Sequence, residues 1–77
     1  MTISEFDKLK ETIYSIDVDA EIEDNNDEWG LYTHTVYCRP EYADDIEELF
    51  NQNKIKILDT FDVSGSSYDQ VGFYITI

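Results

Sequence analysis

Asp17-Val18-Asp19-Ala20-Glu21-Ile22-Glu23 alternates acid and apolar residues without a break, the pattern of a strand with one wet face and one dry face. Just upstream the period is different. Phe6, Leu9, Ile13 and Ile16 recur at helical spacing, which predicts an amphipathic helix over 4–16. Ser4 with Asp7, or equally Thr2 with Glu5, supplies its N-terminal cap. The chain therefore passes from a helix into a strand over 17–23, and the switch of period sets the architecture.

Downstream, Asp24-Asn25-Asn26-Asp27-Glu28 has the polar composition of a hairpin loop. A second strand over 29–38 follows, rich in aromatic and β-branched residues. Pro40 opens a second helix over 40–52, with Glu41, Asp44 and Asp45 near its positive end. Its apolar stripe is Tyr42, Ala43, Ile46, Leu49 and Phe50. Strands over 55–63 and 70–77 complete the chain, with Ser64-Gly65-Ser66-Ser67 as the turn between them.

The two halves share one pattern. Shifted by 37 positions, Leu9 falls on Ile46, Ile13 on Phe50, Val18 on Ile55, Ala20 on Ile57, Val36 on Phe73 and Cys38 on Ile75. Two αββ units give an α+β domain spanning 1–77, in which a four-stranded antiparallel sheet carries both helices on one face. This αββαββ layout is that of a circularly permuted ferredoxin-like sandwich. If Val36, Cys38, Phe73 and Ile75 face the helices, then Leu31, Tyr37 and Tyr74 face the other way, joined by Trp29 if the strand begins that early. Asp17, Asp19, Glu21 and Glu23 fall on that same uncovered face.

Charge bounds the function. Eighteen Asp and Glu against five Lys and Arg give −13 at pH 7. Self-repulsion of this size works against compactness, so the charge serves either function or plain solubility. Direct nucleic-acid binding requires the opposite sign, and an anionic membrane surface is disfavoured for the same reason. A partner with a basic surface remains, and proteins that handle nucleic acid are the commonest of these. The single cysteine excludes an internal disulfide and suits a reducing compartment. No long apolar run and no leader-like N-terminus are present, so a cytoplasmic location is expected.

Catalytic constellations are not evident. Asp24, Asn26 and Glu28 have the spacing that opens a calcium loop, but Trp29 stands where glycine is needed and Thr35 where a bidentate Glu belongs. His34 and Cys38, four apart on one strand, would sit about 13 Å from each other, too far for a shared zinc ion or a nucleophile–base pair. Gly30, Gly65 and Gly72 are scattered and cradle no phosphate. No cofactor, no metal and no enzymatic activity are expected.

The candidate contact residues are Asp17, Asp19, Glu21, Glu23, Asp24, Asp27 and Glu28, with Glu41, Asp44, Asp45, Glu47 and Glu48 as a second ridge and Trp29, Tyr37 and Tyr74 as aromatic anchors. Alternate strand residues stand about 6.7 Å apart, comparable to the step between phosphates, so carboxylates displayed this way can occupy Lys and Arg sites that grip a backbone. In acidity and size the chain resembles the small phage-encoded inhibitors of bacterial nucleic-acid machinery: anti-CRISPR and anti-restriction proteins and sliding-clamp inhibitors, many of them DNA mimics. The resemblance is compositional, resting on Asp17 to Glu28 and Glu41 to Glu48. It implies an inhibitor acting in the host cytoplasm on a basic protein. A second similarity, to acidic ferredoxin-like regulators of ribonucleases, rests on the acid hairpin followed by Trp29-Gly30. The alternative is an immunity protein or antitoxin that neutralises one specific partner. The uncovered apolar face also leads to an expectation of homodimers favoured by salt.

Overall fold

The computed structural model describes residues 2–25, 32–64 and 69–77. Its elements are α1 (Ile3–Ile16), β1 (Glu21–Asp24), β2 (His34–Cys38), a 3₁₀ turn (Pro40–Tyr42), α2 (Ala43–Gln52), β3 (Lys56–Ser64) and β4 (Asp69–Thr76). The strands form one sheet in the order β1-β2-β4-β3, every neighbouring pair antiparallel. This is the ferredoxin-like βαββαβ order with its first strand moved to the C-terminal end.

Of the two cap alternatives, Thr2 with Glu5 is used. The Thr2 hydroxyl accepts from Glu5 N–H and the Glu5 carboxylate accepts from Thr2 N–H, each at 3.2 Å, a complete capping box. Phe6, Leu9 and Ile13 then point at the sheet, as do Ile46 and Phe50 of α2. They meet Val36 and Cys38 of β2 and Val71, Phe73 and Ile75 of β4 in one core. Both helices therefore cover the same face, and the expected register of β2 and β4 holds. Val36 and Phe73 lie directly opposite one another. They are also equivalent under the 37-residue shift, so the pseudo-twofold axis of the molecule passes between them.

The halves part company where each helix ends. After α2, Lys54 N–H donates to Asn51 carbonyl at 3.2 Å and Ile55 N–H to Phe50 carbonyl at 2.9 Å. Lys54 takes a left-handed φ of 57°. This is a Schellman turn, and it carries Ile55 into the core against Phe50. After α1 there is no such turn. The expected strand over 17–23 begins only at Glu21, because Asp17 to Ala20 form a reverse turn closed by Ala20 N–H to Asp17 carbonyl at 3.1 Å. Val18, equivalent to Ile55, is consequently exposed, and Asp17, expected on the wet face, is 2% exposed.

Candidate interaction surface

Antiparallel partners share a face, so the register identifies what stands on the side of the sheet away from the helices. From β1 come Glu21, opposite Tyr37, and Glu23, opposite Thr35. Tyr37 is opposite Gly72, and Thr35 is opposite Tyr74. On β3 an irregularity between Ile57 and Asp59 inserts Leu58 as an extra residue. Strict alternation would send Asp59, Phe61 and Val63 to the face of Ile57, toward the helices. The bulge re-aims them. Asp59 now lies opposite Tyr74 and Phe61 opposite Gly72, all on the open face.

Gly72 is required there. A Cβ at this position would stand 2.3 Å from Cζ of Phe61, and two further ring carbons would lie within 2.8 Å. The absent side chain lets the Phe61 ring lie across the strand. The result is a continuous aromatic row. Tyr32 packs on Tyr74 at 4.3 Å between ring centroids, Tyr74 on Phe61 at 4.6 Å, and Phe61 meets Tyr37 edge-on at 6.0 Å and 85°. All four rings are half-buried, and Thr35 is buried among them. Burial, followed by the charges of Glu23, Tyr74 and Glu21, pushes the Tyr37 phenol above its ordinary value. Lys56 stands at the end of β3 on the same face, opposite Thr76.

The acids expected to act together are divided by the fold. Glu21 and Glu23 border the aromatic row and are exposed. Asp44, Asp45, Glu47 and Glu48 are also exposed, but they lie on α2, in the helix layer on the other side of the sheet. Glu41 sits in the 3₁₀ turn and pairs with Arg39 Nη1 at 3.6 Å. Asp24, opposite His34, turns to the helix side and binds that imidazole. Asp27, Glu28 and Trp29 lie outside the described residues, as do Asn26 and Leu31.

Asp17 is withdrawn from the contact set, because its carboxylate is used internally. Oδ2 accepts Arg39 N–H at 2.9 Å and Oδ1 accepts Asp19 N–H at 3.0 Å, while its own N–H bonds Ile13 carbonyl at 2.9 Å. One side chain thereby ties the end of α1, the turn before β1 and the exit of β2. Asp19, expected to be free, is paired with the Arg39 guanidinium. Nearby Cys38 is fully buried, and burial, with a contribution from Asp17, pushes its thiol up to about 11. A thiol so placed is an inert core residue.

No family model, curated protein or solved structure matches the chain. Any functional reading must therefore come from the geometry.

A second feature is an open groove of ≈ 400 Å³ lined by Ile3, Phe6, Lys10, Asp24, His34 and Ile77, among others. His34 Nε2 lies 3.0 Å from Asp24 Oδ1 and Nδ1 lies 3.0 Å from Thr33 Oγ1. Thr33 Oγ1 also accepts Ile77 N–H at 3.1 Å. The imidazole packs on Phe6 with centroids 4.4 Å apart. The arrangement fastens the chain end after β4 to the start of β2. Burial lowers the His34 pKa below its ordinary 6.5, against the pull of Asp24. The unfolded chain therefore takes up a proton first as pH falls, so this group's contribution to stability is complete above pH 6.5 and lost as pH drops through the folded value. Titration of the single histidine by NMR is expected to give a midpoint under 6.5; a midpoint above it would mean that the ion pair with Asp24 outweighs burial.

Proposed function

We propose that the protein is a non-enzymatic inhibitor that binds a basic, nucleic-acid-contacting protein surface through the open face of its sheet and keeps nucleic acid off it. The observation that carries this reading is the combination on that face. Glu21 and Glu23, which make no ion pair among the described residues, flank a half-buried aromatic row in a chain of net charge −13. Carboxylates in this position form charge-assisted hydrogen bonds with Lys and Arg. The rings beside them exclude water and supply the apolar area that phosphates lack. A flat partner surface meets either this face or the helix layer, and this face is the one that sets a continuous row of four packed rings beside its acids.

The supporting experiment is affinity capture from a bacterial lysate, the setting to which the compositional resemblance points, followed by titration of the captured protein. Affinity is expected to fall as salt rises. Glu21→Lys with Glu23→Lys is expected to lose about 100-fold, the scale of two charged contacts reversed. Asp44→Lys with Asp45→Lys on α2 should lose less than about three-fold, as rim charges do. The opposite ranking would move the contact surface to the helix layer.

A further inference from the structure

A four-stranded sheet of this kind with aromatic side chains on its central strands is a stacking platform, and in basic domains such platforms stack nucleic-acid bases. Here Tyr37 on β2 and Tyr74 on β4 occupy the central strands, and Phe61 reaches over Gly72 from the edge. The charge around the rings is inverted, however. Glu21 lies beside Tyr37 and Asp59 beside Tyr74, and a phosphate backbone would be repelled along both margins. A flat cation suits the same rings. Resting on the reading above, we infer that this face selects arginine: a guanidinium of the partner stacks on the Tyr37 ring, with its edge toward the perpendicular Phe61 ring, and directs its N–H groups to Glu21 and Glu23.

Two features support arginine over lysine. The guanidinium is planar, weakly hydrated and stacks on aromatic faces, whereas an ammonium is a compact, strongly hydrated point charge. Two carboxylates about 6.7 Å apart along β1 suit the forked donors of one or two guanidinium groups. The protein's own arginine does not compete for the site, because Arg39 is engaged by Asp19 and Glu41. Among the described residues the one cation–π contact is Lys10 over Phe6, at 5.3 Å, in the helix layer, so the rings of the open face carry no cation. A second copy of the chain would bring −13 against −13 and is a poor occupant at low salt.

The test uses the whole protein with two probes, a short Gly/Ser peptide bearing alternating arginines and the same peptide with lysines. The arginine peptide is expected to bind about five-fold tighter or better, with NMR shifts concentrated at Tyr37, Phe61 and Tyr74. Tyr37→Leu keeps the apolar bulk and removes the π face; in this variant, and independently in Phe61→Leu, the preference should shrink to about one-fold while circular dichroism stays native. Glu21→Gln with Glu23→Gln should weaken both peptides. Equal binding of the two peptides, with shifts still on the open face, overturns arginine selection and leaves the basic-partner reading standing; shifts over α2 instead overturn the open face as the contact surface for both. Failure of both peptides to bind overturns the two together. Tighter binding of a short oligothymidylate than of either peptide identifies a base-stacking face and overturns the inference.

Discussion

Replacing Phe73 by Ala is expected to lower the unfolding free energy by about 3–5 kcal/mol, the usual cost of truncating a fully buried Phe. Phe73 is 1% exposed on the central strand β4 and sits edge-on against Phe50 at 5.7 Å and 82°. It faces Val36 across the pseudo-twofold axis, where the two halves of the core join. Removing the ring leaves a cavity between elements held from both sides, so little collapse can fill it. A domain of this length has only about 4–12 kcal/mol in total, and the melting temperature should drop by roughly 15–30 °C. Tyr74→Ala, one residue along and on the open face, should cost about 1–2 kcal/mol, since its ring is only half-buried and its ring contacts are to Tyr32 and Phe61. Urea denaturation of the three proteins decides the register. Should Tyr74→Ala be the more damaging of the two, the helices would have to cover the opposite face.

Asp17→Ala is expected to cost about 3 kcal/mol. Its carboxylate accepts two backbone N–H bonds, and hydrogen bonds to a charged group are worth about 1.5–3 kcal/mol each when buried. The part-buried Arg39 N–H loses its acceptor in the variant. Asp17→Asn retains one acceptor oxygen but sets an NH₂ group against the second donor, and about half the loss is expected. The urea midpoint should fall with the slope unchanged, because the fold persists while its junction weakens. A change below about 0.5 kcal/mol for Asp17→Ala would mean that the carboxylate faces solvent, as an alternating strand from residue 17 requires.

That junction also marks the limit of what periodicity can convey. Alternation from Asp17 to Glu23 reads as one strand, yet acid–apolar–acid is equally satisfied by a helix end whose Asp folds back onto the chain. Only the tertiary partner, Arg39 N–H, separates the two. On regular elements the pattern found the centre of the core: Phe6, Leu9 and Ile13 on α1, Ile46 and Phe50 on α2, Val36 with Cys38 and Phe73 with Ile75 on the sheet are all buried, while Ile16, Tyr42, Ala43 and Leu49 of the same stripes are half-buried. The αββαββ order followed from the same signals.

The open face was legible in part. Tyr37, Tyr74, Glu21 and Glu23 were reached by alternation from the core residues beside them. Phe61 and Asp59 were not, because a bulge at Leu58 leaves no mark in the residue types and shifts every later side chain to the other face. Gly72 gave a weak sign, since a glycine inside a strand pattern often marks close approach of another group. Asp44, Asp45, Glu47 and Glu48 were read as a second ridge, and their place in the helix layer, across the sheet from Glu21 and Glu23, follows from the same αββαββ layout.

The central claim is occlusion, and competition with nucleic acid tests it most directly. A captured partner is saturated with a fluorescent nucleic acid that it binds, and the protein is titrated in while anisotropy is followed. The expected result is full displacement of the nucleic acid, with an apparent affinity that weakens as salt rises and displacement lost in the Glu21→Lys, Glu23→Lys variant. A stable ternary complex in which the partner holds nucleic acid with undiminished affinity would contradict it, and would leave an interaction module of the antitoxin kind in its place.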